Sequence, residues 1–192
     1  MKTTSKKSNT TKKSSSTKKS TAAKKVPAKK DAAKSLDDLF EDALKDALWA
    51  ENAVHKALPK MIKNATSAKL KKALEDHRKE TANQIKMIKA VFKSIGVKAE
   101  EEKCDAMAGI LEEGEGILEE TKAGAVRDAG IIAACQKVEH YEIASYGTMI
   151  AYAKLLKHTE AKKLLSDILK QEKNADKLLS KLGTTEINIK AK

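Results

Sequence analysis

The chain has almost no aromatic residues: two Phe, one Trp and three Tyr make up 3% of its 192 residues. With 41% hydrophobic residues and a composition rich in Ala, Leu, Lys and Glu, it favours helix over sheet, and all-α is the expected class. Cysteine is equally scarce. Cys104 and Cys135 lack CxxC spacing, which argues against a cysteine-held metal. Each is expected to be a small, reduced, partly buried residue, with a disulfide as the lesser alternative. No run approaches the 18 apolar residues of a membrane helix, and the N-terminus carries no apolar signal segment, so a soluble, cytoplasmic chain without membrane contact is expected. There is no glycine-rich phosphate loop and no nucleophile triad. Any chemistry must therefore come from carboxylates.

What is present is charge, and it is unevenly placed. The formal net charge is +12, yet residues 1–35 hold twelve lysines against one acid, Asp31, which leaves the remainder close to neutral. Lysine pairs recur at Lys6 and Lys7, Lys12 and Lys13, Lys18 and Lys19, Lys24 and Lys25, and Lys29 and Lys30, framed by Ser, Thr and Ala. Such a segment has too little apolar surface to order itself, and a disordered basic tail is expected over 1–35. Two uses fit it: solubilisation, or non-specific neutralisation of DNA phosphates by those ten lysines.

From Leu36 the pattern becomes periodic. Ser35 is a candidate N-cap, with Asp37 and Asp38 in the first helical turn. A first helix follows to about the Asn64–Ser67 turn, kinked or divided by Pro59. A second spans roughly 67–95 and stops at Gly96. The segment 97–126 is too long for a hairpin and contains an amphipathic piece near 103–118, so it can run the length of a bundle. A third helix is expected from Asp128 to about Lys157. A fourth runs from about Glu160 to Leu182, with Gly183 as its stop and 183–192 as a short C-terminal tail.

Acids interrupt the apolar faces of these helices. Glu51 lies in the stripe Leu44, Leu48, His55, Leu58; Glu139 and Glu142 lie in Ile132, Cys135, Val138, Tyr146, Met149; Glu172 lies in Leu165, Ile168, Leu179. The second helix carries His77, with Glu80 one turn on, and Asp176 stands one turn from Glu172. In an antiparallel hairpin, residues equidistant from the turn share a height, each residue rising about 1.5 Å. Glu51 and Glu80 are centred between Ala65 and Thr66, Glu142 and Glu172 on Lys157, and Glu139 and Asp176 between Lys157 and His158. If the crossover aligns the hairpins, Glu51, His77, Glu80, Glu139, Glu142, Glu172 and Asp176 meet at mid-bundle. Acids gathered so closely repel one another unless cations bind, and a carboxylate–imidazole set suits two iron ions, or manganese. Salt-bridged or stripe-edge acids are the alternative reading for any one of them.

Several short motifs, in order, make the chain similar to a known group. Leu58-Pro59-Lys60-Met61, His77-x-x-Glu80-Thr81 with Gln84, Cys104-x-Ala106-Met107-x-Gly109, and Glu139-His140-Tyr141-Glu142-Ile143-Ala144 with Tyr146-Gly147-Thr148 resemble the YciE/YciF-type family of bacterial ferritin-like proteins over about residues 36–182. The resemblance implies a stress-associated, often dimeric protein. Its fold would be a ferritin-like antiparallel four-helix bundle whose long crossover between helices two and three contains a short extra helix. The chemistry expected, oxidation of Fe(II) or consumption of peroxide, comes from the level set of acids and not from the resemblance. The lysine tail lies outside the resemblance and looks like the arms of nucleoid proteins, which would add DNA as a partner and the nucleoid as a location.

The departures from the wider ferritin pattern are specific. His77-x-x-Glu80 reverses the usual Glu-x-x-His order, and Ala175 stands where the fourth helix would place a histidine, with Asp176 as a substitute. His140 is rotated off the inward face. Tyr141 and Tyr146 are read as packing residues, with tuning of a metal site as the alternative. A metal-free scaffold, or a nucleoid-associated protein without catalysis, is the competing functional reading.

Overall fold

Ser35 does what its position predicts: its Oγ accepts from the Asp38 N–H at 3.1 Å, and the Asp38 carboxylate accepts from the Ser35 N–H at 3.1 Å and the Lys34 N–H at 2.9 Å. This reciprocal cap starts α1, Leu36–Asn64. The computed structural model describes residues 26–30 and 32–192, so the lysines from Lys6 to Lys25 lie outside the described residues, while Lys29 and Lys30 are exposed. Residues 33–192 form one unit. Pro59 does not divide α1, which continues one further turn beyond it to Asn64.

The other elements are α2, Ala68–Ser94; α3, Asp105–Glu120; α4, Ala125–Leu155; and α5, Thr159–Leu182. The fold is an antiparallel four-helix bundle of α1, α2, α4 and α5, with α3 in the crossover. Asp128, near the start of α4, fixes the topology. Its Oδ1 accepts from the Thr66 N–H at 2.7 Å, and its Oδ2 accepts from the Thr66 hydroxyl at 2.7 Å and the Ser67 N–H at 2.8 Å. The crossover has therefore carried the chain back to the α1–α2 turn, and α2 and α4 run in the same direction. Helix α4 starts three residues before Asp128, after Gly124 at φ 125°, and Lys157 at φ 62° closes the turn into α5. Gly114 lets α3 lie close to its neighbours, because a Cβ there would sit 3.4 Å from both the Ala134 Cβ and the Met61 Cε.

The fourth bundle helix ends at Leu182 with Gly183 as its C-cap, as expected, but 183–192 stays helical and packed instead of leaving as a simple tail. The backbone of Gly183 stays right-handed at φ −59°, ψ −57°, and passes through a π-helical turn, Gly183–Ile187, into a short α6, Asn188–Ala191. The reason is Ile187, which is buried with Ala65, Leu70 and Ile131 near the α1–α2 turn. Burying a side chain of this size contributes roughly 1.5–3 kcal/mol, more than the conformational preference of one glycine.

The bundle does not have one continuous core. Leu58, Met61, Leu70, Leu74, Ile132, Val138 and Leu182 pack near the α1–α2 turn, while Phe40, Leu44, Leu48, Phe92, Met149, Leu165 and Ile168 pack near the α4–α5 turn. Between the two clusters lies a layer of buried polar side chains: Glu51, His77, Thr81, Gln84, Glu139, Glu142 and Glu172. A polar layer across the middle of a bundle costs stability unless its groups are paired. Among the described residues no helix is long and apolar enough to cross a membrane.

Candidate metal centre

Each bundle helix brings acids or an imidazole to this layer because a polar residue occupies an inward position flanked by apolar ones. Glu51 sits between Leu48 and Val54 on α1, His77 between Leu74 and Ile88 on α2, and Glu172 between Ile168 and Leu179 on α5. Helix α4 contributes two acids, Glu139 and Glu142, between Val138 and Tyr146. The helical hydrogen bonds of four long elements hold these side chains, and none stands on a loop.

They gather into two linked groups. One donor atom from each of Glu51, Glu142 and Glu172 lies within 4.8 Å of the others, and the same holds for His77, Glu139 and Glu172. Glu172 belongs to both. His77 Nε2 is 3.3 Å from Glu139 Oε1. The Tyr146 hydroxyl donates to Glu51 Oε1, and Gln84 Nε2 donates to Glu172 Oε1 and, at 3.0 Å, to Gln171 Oε1. On α2 the Thr81 hydroxyl turns back to the His77 carbonyl at 3.0 Å.

Burial dominates the electrostatics. It pushes the carboxyls of Glu51, Glu139 and Glu142 well above the usual carboxylate range, and the neighbouring acids push them further. Burial likewise raises Glu172 to about 7, against the adjacent Glu139 carboxyl and the Gln84 hydrogen bond, which lower it. Burial lowers His77 to about 4, so the imidazole is neutral at pH 7 and keeps a lone pair for a ligand. The Tyr146 hydroxyl is raised as well, first by burial and then by Glu51 and Glu142, and stays protonated as a donor.

The remaining atoms form the test of fit. Glu51 Oε2, Glu139 Oε2, Glu142 Oε1, Glu172 Oε2 and His77 Nδ1 are buried and have no hydrogen-bond partner. Asp128 shows what a structural buried acid looks like in this fold: at 2% exposure, both of its oxygens are satisfied by α1–α2 turn donors. Four acids in two linked groups, each with one buried oxygen unpartnered, fit cations, and four carboxylates with one imidazole are the donor set of iron or manganese rather than of a structural zinc.

Two of the seven expected site residues lie outside these groups. Glu80 is exposed and lines a groove with His77 rather than entering the layer, although its charge is felt by Glu172. Asp176 turns sideways, accepting from Gln136 Nε2 at 2.9 Å and lying 3.3 Å from the exposed His140 Nε2. Gln84, read from the sequence as a stripe residue, and Tyr146, read as packing with tuning of a metal site as the alternative, donate to Glu172 and Glu51 and hold their orientation. Cys104 and Cys135 are both free, and Tyr141 meets the Cys104 Sγ at 2.9 Å, one turn away from the centre.

The same arrangement of helices is found elsewhere. A family model described as "Domain of unknown function (DUF892)" matches residues 35–192. The chain belongs to the DUF892 family. Protein YciF of Escherichia coli K12 is 42% identical over 159 residues, covering 82% of this chain and 96% of that protein. The crystal structure of the E. coli stress protein YciF superposes with a TM-score of 0.78 at 41% identity, over 81% of this chain and 99% of that one. YcfI from Rhodopseudomonas palustris superposes at 0.77 with 38% identity, over 80% and 98%. A Xanthomonas campestris protein at 18% identity and a TM-score of 0.65 shares the fold. The DUF892 match begins at the N-cap of α1, so the lysine-rich segment precedes it.

Proposed function

We propose that this DUF892 protein is a ferritin-like di-metal protein that oxidises Fe(II) or consumes peroxide, in the stress-associated setting suggested by its likeness to the E. coli stress protein YciF. The observation that carries this reading is the set of buried oxygens without partners, one on each of Glu51, Glu139, Glu142 and Glu172. Glu51 and Glu142 would hold one ion, His77 and Glu139 the other, with Glu172 between them. A bound pair of iron ions supplies reversible electron transfer toward oxygen or peroxide. The protein's own residues set the conditions for it. The Tyr146 and Gln84 donors keep Glu51 and Glu172 in one orientation, and neutral His77 offers a lone pair without first losing a proton. The two apolar clusters enclose the layer from both ends of the bundle.

The test is metal counting on protein purified without a histidine tag and reloaded anaerobically with Fe(II), then exposed to oxygen or peroxide while near-ultraviolet absorption is followed. About two ions per chain and an oxidation signal are the expected result for a two-metal site. Folded protein with no iron above background would leave the bundle as a metal-free scaffold.

The lysine-rich segment belongs to the same proposal as a DNA-binding arm, on the strength of its twelve lysines within 35 residues. With neither arginine forks nor aromatic rings, it would neutralise phosphates without reading bases. The salt dependence of DNA binding measures this. Full engagement of the twelve lysines gives a log–log slope approaching about −11 and partial engagement about −4 to −6, whereas a slope near zero removes DNA as a partner. Deleting residues 1–35 should abolish the binding.

A further inference from the structure

Among the grooves that reach the polar layer, two meet different residues of it, Glu142 in one and His77 in the other. One, between α1 and α4, has a volume of about 400 Å³ and is lined in part by Asp42, Asp46, Tyr141, Glu142, Tyr146 and Tyr152. The other, between α2 and α5, has a volume of about 220 Å³ and includes Asp76, His77 and Glu80. Small side chains leave room for the first: between Leu39, Asp42 and Asp46, α1 presents Ala43, Ala47 and Ala50, and α4 presents Ala144, Ser145 and Thr148, so the two helices leave a trough between them. At its inner end stands Glu142, 3% exposed, with Oε1 unpartnered.

Each mouth carries an acid without an ion-pair partner among the described residues, Asp46 at the α1/α4 groove and Glu80 at the α2/α5 groove, but Glu80 has one acid beside it, Asp76, where Asp46 has Glu102, Asp42 and Asp105. At the α2/α5 groove, Asp76 is neutralised by Lys72 and by Lys79, the latter at 3.4 Å. At the α1/α4 groove, Asp46 has no ion-pair partner among the described residues, and its carboxyl is raised by its own partial burial and then by Glu102, Asp42 and Asp105. The lysines nearby are committed elsewhere: Lys45 lies 2.9 Å from Glu41 and only 3.9 Å from Asp42, and Lys103 pairs with Asp105 at 3.1 Å on the exposed surface. A half-buried acid facing other acids in a trough with low-dielectric walls attracts divalent cations more strongly than the same charge on an open surface.

We propose that the α1/α4 groove is the inlet for divalent cations to the carboxylate layer, and that Asp46 draws them from solvent and passes them to Glu142. This rests on the di-metal reading above. Asp46 is not a ligand of the final site, since it lies outside both linked groups. Its substitution should change how fast metal arrives and not how much stays.

The test uses the full chain, stripped of metal and mixed with Co(II) in a stopped-flow instrument, with visible absorption reporting loading and equilibrium dialysis counting the bound ions. Asp46→Asn should slow second-order loading about threefold to tenfold and flatten its dependence on ionic strength, at an unchanged final count. Asp46→Glu keeps the charge and should keep the rate. Asp76→Asn, at the other mouth, should load as fast as the unaltered protein. Loading of Asp46→Asn at the unaltered rate, loss of bound cobalt in that variant, or equal slowing by Asp76→Asn would each overturn the inlet. Unaltered protein that binds no cobalt would remove the di-metal reading and the inlet with it.

Discussion

Glu172→Gln is expected to abolish binding of both metal ions, whereas Glu51→Gln and His77→Gln should each weaken chiefly one. The difference follows from position. Glu172 is the residue common to the two groups of donors, while Glu51 belongs only to the group with Glu142, and His77 only to the group with Glu139. Glutamine keeps the shape of the side chain and can still accept the hydrogen bond from Gln84, so the expected loss reflects the charge and not a collapsed core. After anaerobic loading and dialysis, the metal count should fall from about two per chain to below about 0.5 in Glu172→Gln, and to about one in each of the other variants. A Glu172→Gln protein that keeps both ions would contradict the bridging role. Without metal, the same variant should be more stable than the unaltered chain by roughly 1–3 kcal/mol, because a buried carboxyl with an unpartnered oxygen is replaced by a neutral amide able to donate toward Glu139. A metal-free scaffold would show that gain too. The count of bound ions, and not the melting temperature, therefore separates the two readings.

How far the sequence reveals this centre depends on what each residue interrupts. Glu51, Glu139, Glu142 and Glu172 are legible because an acid in the middle of an apolar stripe has nowhere to go but inward, and of the three pairs levelled about the two turns only Glu142 and Glu172 meet in one group of donors. His77 is legible for the same reason, lying between Leu70, Leu74 and Ile88. Glu80 and Asp176 are harder. Each was placed by standing one turn from an inward residue, yet three residues advance a helix by about 300° and four by about 400°, so such a neighbour sits tens of degrees off the face. That offset is enough to put Glu80 at the surface and to turn Asp176 toward Gln136 and His140. Gln84 and Tyr146 pose the opposite problem. They are inward and visible in their stripes, but only the packing of α2 against α5 and of α1 against α4 shows that their polar ends meet carboxylates. Gly183 ends α5 as its stop signal predicts, but the helical course of the chain beyond it was not legible, since the burial of Ile187 depends on the α1–α2 turn and α4 being brought beside it.

The metal-free protein should become more stable as pH falls from about 8 to about 5, the reverse of ordinary acid denaturation. Glu51, Glu139, Glu142 and Glu172 all titrate higher in the folded chain than the usual 4.5, so across this range the folded state holds more protons than the unfolded one. Stability then falls as pH rises. Glu172 alone, moved from 4.5 to about 7, accounts for on the order of 3 kcal/mol between those limits. His77 works against this below pH 6.5, because its folded value of about 4 means that the unfolded chain takes up the proton first. One imidazole opposes four carboxyls, so the gain persists to about pH 5, and His77→Leu should steepen it. The acids lowered by their neighbours, Asp38, Asp76, Glu100 and Glu186, lie at the surface where solvent screens them, and they add little. Metal reverses the sign, since cations require the same carboxyls deprotonated and compete with protons for them. Thermal unfolding of metal-free and metal-loaded protein across this range should therefore give two curves that separate above about pH 7 and converge toward pH 5. A separation independent of pH would mean that the ions bind somewhere other than the four buried acids.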